Sequence, residues 1–139
     1  MYDKGSLAAG FTIKAARDEI YFVNFKGELM AVKIEIKDGL TVCHVEGEVD
    51  INSSPDIKKS FDKLISKKTP KIVINLSRVT YVDSSGLATL VEILKNMRTY
   101  GGKMRLANLS PKIKSLFEIT KLEKLFEIMA SEEEAISNF

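Results

Sequence analysis

The stretch from Lys71 to Leu87 constrains the fold of this chain more than any other. It begins with Lys71-Ile72-Val73-Ile74-Asn75-Leu76, an almost wholly apolar strand. Such a strand has no polar face to offer water, so it belongs in the middle of a sheet covered on both sides. Helical patterns flank it. Ile57, Phe61, Leu64 and Ile65 recur at helical spacing before it, and Leu87, Leu90, Val91, Leu94 and Met97 form one stripe after it. An apolar strand between amphipathic helices implies an α/β layer architecture.

The remaining elements fall around that centre. Strands at Val32–Lys37 and Leu40–Glu46 are joined through Asp38-Gly39, a hairpin signal because both residue types tolerate positive φ. Asn52-Ser53-Ser54-Pro55 reads as a helix entrance with a serine cap and a proline in the first turn, and the helix runs to about Lys67. Gly101-Gly102 stops the second helix. Lys103–Ala107 is the next strand, Ser110-Pro111 caps a short helix to about Ile119, and Leu125–Ile128 reads as a short edge strand. Ser131 with Glu134 forms a capping box for a last acidic helix. The predicted order is ββαβαβαβα, one mixed sheet with helices packed against it.

That domain is expected over residues 30–139. Before it, Ile20-Tyr21-Phe22-Val23-Asn24-Phe25 is followed by Lys26-Gly27-Glu28-Leu29. Lys-Gly-Glu can be encoded by AAAGGAGAA, a purine-rich ribosome-binding sequence just ahead of the Met30 codon. Residues 1–29 are therefore expected to be translated upstream or cloning-derived sequence, with Met30 as the biological start. The alternative is a true extra strand at Ile20–Phe25, which its β-branched and aromatic residues would suit.

The chain carries 21 basic and 19 acidic residues, a formal net charge of +2. No basic stripe marks nucleic acid as a partner, and Lys58-Lys59 and Lys67-Lys68 fit a solvated helix side and its exit. No run approaches the ~20 apolar residues of a membrane span. Cys43 is the only cysteine, so an internal disulfide is impossible and a reducing cytoplasm is expected. One histidine, His44, and one cysteine cannot make the usual N/S metal site, so neither a metal nor a cofactor is expected.

The chemistry concentrates at Tyr81-Val82-Asp83-Ser84-Ser85-Gly86-Leu87, where the strand ends and a helix begins. Free N–H groups at a helix start carry partial positive charge and favour an anion such as a phosphorylated serine. Ser84 is thus a candidate phosphosite, with Ser85 second. The competing reading is a turn and helix cap alone. Small residues at Ser85, Gly86 and Ala88 are expected to leave the helix start open to a partner. Asp50 and Asn75, read as the C-terminal ends of neighbouring strands, are expected to flank Ser84. A hydrolase is disfavoured, because no G-x-S-x-G elbow surrounds either serine and His44 lies within a strand.

This element order, Gly47-Glu48-Val49-Asp50, and Ile72–Leu76 followed by Val82-Asp83-Ser84-Ser85-Gly86-Leu87 resemble the STAS domain and, more narrowly, the bacterial anti-sigma-factor antagonists. The resemblance runs from about Val32 to the C-terminus. It implies a transcription-regulating switch protein, not an enzyme. Its unphosphorylated form would bind an anti-sigma factor that is also a serine kinase, releasing a sigma factor. Phosphorylation in the D-S-x-G motif would end the binding, and a serine phosphatase would reset it. The motif serine maps to Ser84, and Asp50, Asn75, Asp83, Ser85, Gly86, Leu87 and Ala88 map around it. Ala88 stands where the family often has glycine. The alternative within the family is a subunit of a stress-signalling scaffold or lipid-transport complex, with Ser84 only a cap.

Overall fold

The computed structural model describes residues 11–16, 19–24, 29–37 and 39–139, with side chains from Val32 onward apart from residue 38. Its strands are β1 (Phe11–Ala16), β2 (Glu19–Asn24), β3 (Leu29–Lys37), β4 (Leu40–Val49), β5 (Lys71–Val82), β6 (Lys103–Ala107) and β7 (Glu127–Met129). Its helices are α1 (Ser54–Ser66), α2 (Ser84–Arg98), α3 (Pro111–Ile119) and α4 (Glu132–Ile136), with a 3-10 turn at Leu122–Lys124. The strands lie in one sheet in chain order. Pairing is antiparallel from β1 to β4 and parallel from β4 to β7. Parallel neighbours need a crossover, and α1, α2 and α3 supply them. From β3 onward the predicted ββαβαβαβα order is the observed one.

β1 and β2 fall within the stretch expected to be an extension; Phe25 of the Ile20–Phe25 run lies outside the described residues, as do residues 1–10, 17–18 and 26–28. So does Asp38 of the hairpin, whose Gly39 takes φ +77°. The serine cap of α1 differs from expectation. Ser53 holds the N-cap position, but its hydroxyl donates to the Glu48 carbonyl at 2.6 Å and leaves the helix N–H groups alone.

The larger core lies under α1, α2 and α3. There Cys43, Ile72, Ile74 and Leu76 from the strands meet Phe61, Ile93, Met97 and Phe117 from the helices. Each fully buried Ile, Leu or Phe stabilises the fold by roughly 1.5–3 kcal/mol. Alternate residues of the same strands face the other way, as the two-residue repeat of a strand demands. On that second face Val42, Val73 and Ala107 meet only Ala135 of α4 among fully buried partners. Half-buried Met129, Ile136 and Phe139 complete this small cluster, and polar ties add to it at the two ends of the C-terminal segment. Lys71 Nζ donates to the Phe139 carbonyl at 2.7 Å and the Arg105 guanidinium lies 4.3 Å from the Phe139 ring centroid. At the other end Glu132 is gripped by Lys37 and Asn75.

Candidate functional site

The ends of β4 and β5 are side by side, because Val49 pairs with Val82 in parallel register. Asp50 and Asp83 therefore leave the sheet together, each leading into a helix. Asp83 is the N-cap of α2: its Oδ1 accepts the Gly86 N–H at 2.9 Å. Its Oδ2 accepts the Ile51 N–H at 3.3 Å, and its own N–H donates to the Val49 carbonyl at 3.2 Å. One carboxylate thus caps the helix and ties it to the neighbouring loop.

Asp50 organises that loop. Its Oδ1 accepts the Asn52 and Ser53 N–H groups at 2.9 and 3.0 Å, and its N–H donates to Ser53 Oγ at 3.0 Å. The hydrogen bond from the Ser53 backbone, with help from Asn52, holds the Asp50 carboxyl below the usual carboxylate range.

Because Asp83 does the capping, Ser84 is left over. It is the first residue of α2, is exposed, and its hydroxyl makes no hydrogen bond among the described residues. The N–H groups of a first helical turn lack intrahelical partners, and Gly86 alone of this turn is served by the cap. Ser85 is half-buried and Ala88 exposed. Ile51, 69% exposed, stands beside them over a shallow groove of about 420 Å³ that Pro55, Lys58, Ser85 and Ala88 also line. On the other side Tyr81 and Ile119 are exposed apolar side chains on a groove of about 470 Å³.

Two expectations need correction, and one residue is added. Asn75 does not flank Ser84. The strand runs on to Val82, so Asn75 pairs with His44 and Ala107 in mid-sheet, on the order of 20 Å along the strand from its end. Its amide binds Glu132 Oε1 at 2.9 Å and the Ser77 N–H at 2.8 Å. Gly86 and Leu87 are buried, so neither is presented to a partner. Leu87 belongs to the core, and Gly86 is small because Val49 is packed against it. Ile51 was missed. Its signal was an apolar residue between Asp50 and Asn52 that fits no helical stripe.

His44 is likewise remote from Ser84. Its Nε2 lies 2.9 Å from Glu35 Oε1 and 3.6 Å from Glu132 Oε1, on the α4 face of the sheet. No imidazole is at hand to activate Ser84 among the described residues.

The sequence profile of the STAS domain matches residues 31–135. The chain belongs to the STAS domain family. This STAS domain is 34% identical over 112 residues to the anti-sigma-B factor antagonist of Listeria monocytogenes, covering 78% of this chain and 98% of that protein. It is 31% identical to the anti-sigma-B factor antagonist of Bacillus subtilis, covering 75% and 96%. SpoIIAA, an anti-sigma factor antagonist solved unphosphorylated and phosphorylated, superposes with a TM-score of 0.60 in either form at 26% identity. The overlap covers 76% of this chain and 94% and 96% of the two SpoIIAA chains. Among the described residues of this STAS domain, no helix is long and apolar enough to cross a membrane.

Proposed function

We propose that this STAS domain is an anti-sigma-factor antagonist. Its unphosphorylated form binds an anti-sigma factor with serine-kinase activity, and phosphorylation of Ser84 ends the binding. A serine phosphatase restores it. The names of its relatives support the regulatory role. The observation that carries the switch is the division of labour at the start of α2: Asp83 caps the helix, which leaves the Ser84 hydroxyl exposed and unbonded. A serine needed as a cap would resist modification; this one is free for it.

The physics suits a switch in affinity with little change in fold. A phosphate adds about −1.5 to −2 charges, and the first turn of α2 stabilises that charge locally. Added to the charge of the adjoining Asp83, the phosphate repels an acidic partner surface and is costly to bury against an apolar one. Loss of about 3 kcal/mol at the interface lowers affinity more than a hundredfold. The protein takes part as binding module and kinase substrate and performs no catalysis of its own.

The test is to incubate the full chain with ATP and a kinase-competent lysate of the source cells, then map phosphate on the peptide 79–95. Phosphate on Ser84, absent in Ser84→Ala, is the expected result. Phosphate on Ser85 alone moves the site by one residue. An unmodified peptide overturns the switch and favours an assembly subunit.

A further inference from the structure

We propose that Glu35, His44 and Glu132 form a binding site for a first-row divalent transition metal, with zinc(II) the best fit. The three residues come from β3, β4 and α4 and meet on the face of the sheet opposite the larger core. Their ligand atoms all lie within 4.8 Å of one another. Tetrahedral zinc with bonds of ~2.0–2.2 Å separates its ligand atoms by about 3.3–3.5 Å. The His44 Nε2 distances to Glu35 Oε1 and Glu132 Oε1, 2.9 and 3.6 Å, bracket that edge. An ion at the centre would take the place of the proton that His44 Nε2 and Glu35 Oε1 share at 2.9 Å, and those two atoms must part to admit it.

The surroundings are those of a site. The side chains of Glu35, His44 and Glu132 are only 18%, 18% and 12% exposed, so they are largely withdrawn from water yet still reachable. Asn75 donates to Glu132 Oε1 and fixes the orientation of that carboxylate, the service that partners beyond the ligands give in metal sites. A carboxylate oxygen has a second lone pair for the metal. One imidazole nitrogen excludes calcium and magnesium, which take oxygen ligands. Two carboxylate oxygens exclude soft ions such as copper(I). Zinc and its neighbours remain, with solvent completing the coordination.

Lys37 opposes the ion. Its Nζ lies 2.6 Å from Glu132 Oε2 and 3.5 Å from Glu35 Oε1. It holds the other oxygen of Glu132 and can stay there, but it must draw back from Glu35 Oε1, a ligand atom, and its charge repels a dication. It therefore tunes the affinity of the site downward. A bound metal ties the first turn of α4 to β3 and β4, where the helix has few apolar contacts of its own.

Titration calorimetry with zinc chloride on the full chain, repeated with cobalt(II) by visible absorption, tests the site. One equivalent is expected to bind. His44→Gln or Glu35→Gln should weaken binding by at least ~tenfold, and Lys37→Gln should strengthen it about fivefold or more. Ser84→Ala, outside the cluster, should bind as the parent does. Circular dichroism in chelator checks that each variant is folded, and Glu35→Gln serves where His44→Gln is not. Absence of saturable binding by the parent below about millimolar zinc, or full binding by the folded His44 and Glu35 variants, overturns the proposal.

Discussion

The carbonyl oxygen of Val49 occupies the space where a side chain on Gly86 would begin. A Cβ at Gly86 would lie 2.2 Å from that oxygen and 2.9 Å from Val49 Cγ1. The glycine of the D-S-S-G segment is thus required by close approach of the α2 first turn to the last residue of β4. That contact presses the start of α2 against the C-terminal end of β4, in the middle of the sheet, and leaves Ser84 exposed.

Gly86→Ala should therefore destabilise the domain at or above the upper end of the about 1–3 kcal/mol that overpacking costs. The obstacle is backbone, which cannot swing aside. The ~1 kcal/mol by which alanine outdoes glycine inside a helix is too small to offset it. Urea unfolding of the two proteins measures the difference. Equal or greater stability in the variant would show that the contact relaxes easily.

Asp83→Ala removes the cap on Gly86 N–H and the tie to Ile51 N–H in one step. Loss of an N-cap typically costs about 1 kcal/mol and up to ~2. Ser84→Ala, which breaks no hydrogen bond among the described residues, should stay within ±0.5 kcal/mol, approximately the range of surface substitutions. Thermal unfolding of both variants separates a capping role from a signalling one. A larger loss at Ser84 than at Asp83 would reverse the assignment.

The Asp50 carboxyl is held below its ordinary value of 3.8 by the Ser53 backbone hydrogen bond first, then by Asn52. A depressed folded value means that its stabilising effect is complete above pH 3.8 and is lost as pH falls through the folded value. Carbon-detected NMR should show Asp50 titrating below 3.8. The Asn52 and Ser53 amides should lose their shifts in the same window. A midpoint at or above 3.8 would mean that the loop does not hold the carboxylate in solution.

Burial pushes the Cys43 thiol far above its ordinary value of 9.0. It has no solvent exposure and lies between Ile34 and Ile74 in the sheet. A disulfide reagent such as DTNB should leave the native protein unmodified and titrate one thiol in denaturant. Rapid reaction under native conditions would reveal opening of the central strands.

Much of the domain was legible because its elements announce themselves locally. Ser110 and Ser131 cap α3 and α4 as their spacing predicts, accepting the Ile113 and Glu134 N–H groups at 3.3 and 3.2 Å. Gly101 ends α2 with φ +80°. The reading failed where a residue had two local roles open to it. Ser53 has the right type and place for a cap, yet the Glu48 carbonyl claims its hydroxyl. The apolar run Lys71–Leu76 is only the first half of β5, and the polar stretch Ser77-Arg78 continues the strand. It is the exposed part of β5, where Arg78 pairs with Glu46 at 2.7 Å on the neighbouring strand.

By itself the sequence determined the order and type of the elements from β3 onward, the apolar centre of the sheet and the serines at a helix start. Periodicity, caps and turn residues act over a few positions, so neighbours in the chain suffice to read them. Tertiary structure alone decided which distant groups meet. It placed Val49 against Gly86, removed Asn75 from the serine and brought Glu35, His44 and Glu132 together from three elements. Strand register and helix docking fix those contacts, and both are set by packing across the whole sheet.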